Sequence, residues 1–144
     1  MHQAHWLNRT GVLLAHAVVG WAVCGAIIGI GRSVTTMQNT LIIHAVAVPI
    51  VFALLSFSYF RFFNYTAPLP TAAVFLAVPL LLDLFVIAPL AEKSFAMFAS
   101  FLGTWLPLAL IFLSTYVVGA FINRPRRYRQ QSAATSKSSL QPPP

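Results

Sequence analysis

Four apolar stretches, residues 11–31, 41–60, 71–91 and 95–122, occupy most of this 144-residue chain. Each has about 20 residues or more, the length at which a helix rising 1.5 Å per residue crosses a hydrocarbon layer of about 30 Å. No water satisfies backbone N–H and C=O groups at that depth, so a spanning segment of this kind folds as a helix. Only 8% of the residues are charged and 58% are hydrophobic, whereas a soluble domain carries about 25% charged residues. The sequence therefore predicts an all-α membrane protein with four transmembrane helices. The fourth stretch has residues to spare and should tilt, kink or project past the interface.

The connections, 32–40, 61–70 and 92–94, are short. Short links place consecutive helices side by side and antiparallel, which predicts an up-down-up-down bundle over residues 1–123 with no separate soluble domain. Arg9, Arg61, Arg124, Arg126, Arg127, Arg129 and Lys137 then share one side, and only Arg32 and Lys93 lie on the other. Basic residues stay on the cytoplasmic side, so both termini are expected there, in a bacterial-type inner (plasma) membrane. The first stretch is longer than the 7 to 15 residue core of a cleaved signal, and Ala15-x-Ala17 comes too early for a cleavage site, so it is read as a retained span. Phe57, Tyr59, Phe60, Phe62, Phe63 and Tyr65 are expected to form an aromatic belt at the headgroup level.

Residues 124–144 change character, from a basic run to a Ser, Gln and Pro rich segment. This composition buries no core and predicts a disordered cytoplasmic tail. Arg124, Arg126, Arg127 and Arg129 can set topology or contact anionic lipid at about 1 kcal/mol each. A short tail with one tyrosine offers no platform for stacking bases, so no nucleic-acid partner is expected.

Asp83 is one of only two acidic residues and sits in the otherwise uncharged third stretch. A carboxylate at that depth costs several kcal/mol unless paired, which makes it a candidate functional residue. Depth counting at 1.5 Å per residue places it about 12 Å below the outer end of its helix. Cys24, Pro49 and Thr104 fall at a similar depth, with Ser100 and His44 closer to the outer end. A polar cluster of Asp83, His44, Ser100 and Thr104 is therefore expected in the outer half, with Arg32, Glu92 and Lys93 at its mouth. Two readings follow. Asp83 is either a proton site with His44 as relay, or a helix lock hydrogen-bonded to a neighbouring Thr, Ser or His.

Paired histidines raise the possibility of haem, but one iron needs both imidazoles at one depth. His16 lies near the inner end of its helix and His44 near the outer end of the next, about 15 Å apart in depth. His16 is expected to bond inside the bundle to Ser56 or Thr115 instead. No span has an H-x-x-x-H or E-x-x-H spacing, so no metal and no other cofactor is expected.

On the first helix, His16, Gly20, Cys24, Ile27 and Gly31 share one face, and Ala15, Ala22, Gly25, Ala26 and Gly29 the other. Gly25-x-x-x-Gly29 is a pattern that lets another helix approach closely, within the chain or from a second subunit. Cys24, a lone cysteine, is read as a packing residue. Pro49, Pro79 and Pro107 each free the carbonyl four residues earlier, at Ala45, Phe75 and Gly103, and predict kinks in the last three spans. Hydrolase, nucleotide-binding and thiol-redox motifs are absent, so an enzyme is not expected. The leading expectation is a packing or assembly subunit of a membrane complex, or a homo-oligomer. A proton-coupled transporter or channel component using Asp83 comes second, and a haem-binding membrane protein third.

Overall fold

The structure is a computed structural model that describes residues 2–94 and 96–139, with side chains described for 8–90, 92–94 and 98–124. Helix α1 runs His2–Val34, α2 Met37–Ser58, α3 Pro68–Leu82 and α4 Leu106–Ser139, with no strand among the described residues. Wider i→i+5 turns extend α2 over Tyr59–Phe63 and α3 over Asp83–Ala91, and another, Phe101–Trp105, leads into α4. Four segments are long and apolar enough to cross a membrane: Asn8–Val34, Met37–Phe63, Pro68–Leu90 and Phe101–Arg124.

Local chemistry sets the boundaries. Thr36 is extended and its hydroxyl accepts from Asn39 N at 3.3 Å, capping the start of α2. Asn64 ends the second segment in the left-handed region at φ 47°, a conformation that asparagine tolerates. Ala67 is extended before Pro68, which starts α3 at a position where a missing N–H is harmless. The fourth segment starts later than the apolar run suggests, because extended Ser100 accepts from Gly103 N at 3.0 Å and begins the helix there. Residues Ala96–Ala99 form a separate 3-10 turn ahead of it. These are the residues to spare that the sequence shows.

Helix α1 packs against α2 and α3, and α4 packs against the same pair, so α1 and α4 face each other across the bundle. Phe52 and Phe75 bridge α2 and α3 through the centre, ring edge to ring face at 5.9 Å. Close approach depends on glycines. A Cβ at Gly20 would meet the Phe52 ring at 2.7 Å, one at Gly31 would meet Thr40 at 2.5 Å, and one at Gly119 would meet the Phe60 ring at 2.5 Å.

The aromatic run splits in a way the expected belt does not capture. Tyr59 and Phe60 are fully buried core residues, whereas Phe57, Phe62 and Tyr65 are exposed. Tyr59 and Phe60 begin the wide turn and point into the core, and Phe62 and Phe63 at its end point outward. The Tyr59 hydroxyl is satisfied by Thr66 Oγ1 at 2.8 Å, which in turn pairs with Thr71 Oγ1 at 2.6 Å. The backbone of α4 stays helical to Ser139, through the stretch that composition marks as disordered. Ala, Gln, Arg and Lys, all good helix formers, make up much of residues 126–137.

Candidate functional site

The four helices leave a cavity of about 330 Å³ at the end of the bundle that carries Arg32 and Glu92. Asp83, His44, Ser100 and Thr104, the polar cluster expected from depth counting, all line it, as do Arg32 and Glu92. Lys93 does not; it sits in the following turn with a left-handed φ of 49°. The remaining wall is largely apolar and includes Val48, Phe52, Ile87, Leu108 and Ile111.

Irregular backbone shapes this space. Pro79 and Pro107 both line it, and each interrupts the hydrogen-bond ladder of its helix. The third segment widens to i→i+5 spacing from Asp83 onward, with Glu92 N bonded to Ile87 O at 2.9 Å. The fourth enters through the wide turn after Ser100, where Leu106 N reaches back to Phe101 O. Wide turns of this kind, inserted into α-helices, often occur where a side chain is presented to a site.

Asp83 is half-buried, and its Oδ1 accepts the indole N–H of Trp21 at 2.8 Å. The expected partner was Thr, Ser or His; the structure supplies tryptophan instead. Sequence reasoning had one usable signal for it. Trp21 lies inside the first span, away from the interface where tryptophans gather, and a buried indole N–H requires an acceptor.

His44 is 6% exposed, and neither ring nitrogen has a hydrogen-bond partner among the described residues. A buried polar group without a partner carries a desolvation cost of about 1 to 3 kcal/mol. His44 therefore offers unused hydrogen-bonding capacity at the cavity wall. At the rim, Arg32 Nη1 bonds Glu92 Oε1, joining the end of α1 to the end of the third segment.

The inner candidates do not form the network expected of them. His16 Nδ1 pairs with Val12 O at 2.8 Å on its own helix, and its ring edges contact Tyr59 and Phe63 at 5.8 and 5.6 Å. Ser56 Oγ and Thr115 Oγ1 are fully buried and have no partner among the described residues. The carbonyl four residues earlier on the same helix satisfies Nδ1, and among the described residues no bond joins His16 to Ser56 or Thr115. His16 is not a lining residue of the cavity that holds His44, so the two imidazoles serve different places. Among the described residues, no three His, Cys, Asp or Glu side chains converge.

The two faces of α1 separate at the expected residues. Gly20 and Cys24 are buried, whereas Ala22, Gly25, Ala26 and Gly29 are exposed. A Cβ at Gly25 or Gly29 would meet nothing within 4 Å, so no helix among the described residues packs closely on that pair, contrary to the expectation of packing within the chain. Both glycines instead edge the cavity, where their missing side chains leave room. Of the arginines expected to contact anionic lipid, Arg124 is exposed and lies over the Phe121 ring at 4.7 Å. Arg126, Arg127 and Arg129 lie outside the residues whose side chains are described.

Among the described residues, the fold and cavity define an all-helical protein with four segments of membrane-crossing length that line one largely apolar cavity containing a few polar side chains. No family model, no curated protein and no solved structure matches the chain.

Proposed function

We propose that this chain is a multi-pass membrane protein, up-down-up-down with both termini cytoplasmic, that carries a small solute through its bundle in exchange for a proton on Asp83. One observation supports this reading above the others: residues from all four segments, with no sequence motif between them, line one cavity around an acid that, among the described residues, has no basic partner. A helix lock alone needs the Trp21 bond and nothing more. It does not account for a cavity beside the carboxylate, nor for a buried imidazole with two unused nitrogens in the same wall. On the proposed topology, the cavity opens toward the non-cytoplasmic face, and the Arg32–Glu92 pair lies across its mouth.

Proton movement tests the proposal. Vesicles containing the purified protein and a pH-sensitive dye are offered a panel of small amines, carboxylic acids and neutral solutes under an acid-outside gradient. At least one class should drive proton flux that Asp83→Asn reduces to the protein-free baseline. Flux unchanged by Asp83→Asn, or absent with every class, overturns the carrier reading.

The alternative, a packing or assembly subunit, is supported by the open surface of α1, where Ala22, Gly25, Ala26 and Gly29 are exposed. In a bilayer, such a small-residue face admits the backbone of a neighbouring helix. Strictly monomeric protein in mild detergent, with co-purifying membrane complexes intact after deletion of the gene, would exclude this role.

A further inference from the structure

We infer that the solute is a monovalent organic cation with an apolar body, such as a protonated arylalkylamine, and that Asp83 is its counter-ion. This rests on the carrier reading and narrows it. The chain has two acidic residues against nine Lys and Arg, yet both acids line this one cavity. Arg32 is committed to Glu92 at the rim, and among the described residues no other Lys or Arg lines the space. Asp83 is thus the uncompensated charge. Trp21 donates to Oδ1 and fixes the carboxylate, and an incoming ammonium group would pair with Oδ2, to which no described side chain bonds.

The apolar wall selects the rest of the molecule. Val48, Phe52, Leu108 and Ile111 surround the deeper part of the cavity and suit a ring or branched alkyl group. A volume of about 330 Å³ falls at the lower end of the range of ligand pockets, about 300 to 1,000 Å³, and suits a small solute. An anion is disfavoured, since it would face two carboxylates with only one, already engaged, guanidinium. His44 supplies a second point of recognition for a hydroxyl, ether or carbonyl on the cation, because both its nitrogens are free.

Exchange balances without any covalent step. The protonated Asp83 carboxyl gives its proton to water at the mouth, the carboxylate pairs with the incoming cation, and one H⁺ leaves for each cation bound. The titratable or charged groups facing Asp83 are Cys24 and Arg32 from α1, His44 from α2, and Glu92 beyond α3. The fourth segment contributes only Ser100 and Thr104, which do not titrate.

Three probes of matched size test the inference on the purified full chain in lipid nanodiscs. They are benzyltrimethylammonium, its neutral carbon isostere neopentylbenzene, and the anion benzenesulfonate. The cation should bind at least about tenfold more tightly than the other two, and Asp83→Asn should erase that preference. Asparagine keeps an oxygen for the Trp21 bond, so the substitution removes charge and not the interhelical tie. Gly25→Leu projects into open space and leaves the packing intact, yet narrows the cavity; it should weaken cation binding by about tenfold or more. Equal binding of cation and isostere, a preference that persists in Asp83→Asn, tighter binding of the anion, or no binding of any probe overturns the inference. The two proposals fail differently. Asp83-dependent flux with acids or neutral solutes but not amines sinks the ligand class alone, whereas Asp83-dependent cation binding without any flux sinks the carrier reading alone.

Discussion

The Trp21 indole N–H donates to Asp83 Oδ1 at 2.8 Å, tying α1 to the third segment across 62 positions of sequence. Because Asp83 also lines the cavity, the same residue can serve structure with one oxygen and chemistry with the other.

The structural half of that role can be measured by unfolding in detergent. Trp21→Phe and Asp83→Ala should each destabilise the protein, with a double-mutant coupling of about 0.6 to 2 kcal/mol, the range for interhelical hydrogen bonds in membranes. Asp83→Asn should stay close to wild type, since the acceptor oxygen survives. A coupling near zero would show that the bond does not tie the helices.

The glycines should divide sharply. Gly20→Leu and Gly119→Leu drive side chains into the Phe52 and Phe60 rings, and overpacking of this kind costs about 1 to 3 kcal/mol. Gly25→Leu and Gly29→Leu meet open space and should unfold like wild type. A thermal melt of all four variants separates packing glycines from those that edge the cavity. Loss of stability at Gly25 with an oligomer lost in parallel would favour the assembly reading.

Much of this arrangement can be read from the residues, and the rest cannot, for a physical reason. Apolar length fixes where helices run, which is why four segments fall near their expected places. Rise per residue fixes depth, and Asp83, His44, Ser100 and Thr104 line one cavity. Rotation about each helix axis has no such ruler. The Trp21 partner, the inward turn of Tyr59 and the open face at Gly25 all depend on rotation, and the wide turns at Tyr59 and Asp83 shift it further. The start of the fourth helix depends on a single cap, Ser100, inside an apolar run that gives no other mark.

Arg32 and Glu92 form a partly exposed pair, with side chains 46% and 33% accessible. Such pairs contribute little to stability, so Glu92→Gln should leave unfolding within about 1 kcal/mol of wild type. Its effect should appear in access. Cys24 is the chain's single cysteine and lines the cavity, so its alkylation by a small maleimide should speed up when the rim pair is broken. An unchanged rate would show that the pair does not close the mouth.

Orientation is tested by reporters fused to the C-terminus. A fluorescent protein that matures only in the cytoplasm should light up there, and an alkaline phosphatase that needs export should stay inactive. The reverse pattern would place the mouth of the cavity on the cytoplasmic side.

The most direct measurement compares proton flux into vesicles holding wild-type protein with flux into vesicles holding Asp83→Asn, across the amine, acid and neutral panel. The account predicts solute-driven flux in the wild type and baseline flux in the variant, even though the variant keeps its bond to Trp21 and its fold. Equal flux in the two would contradict it and leave Asp83 as a helix lock.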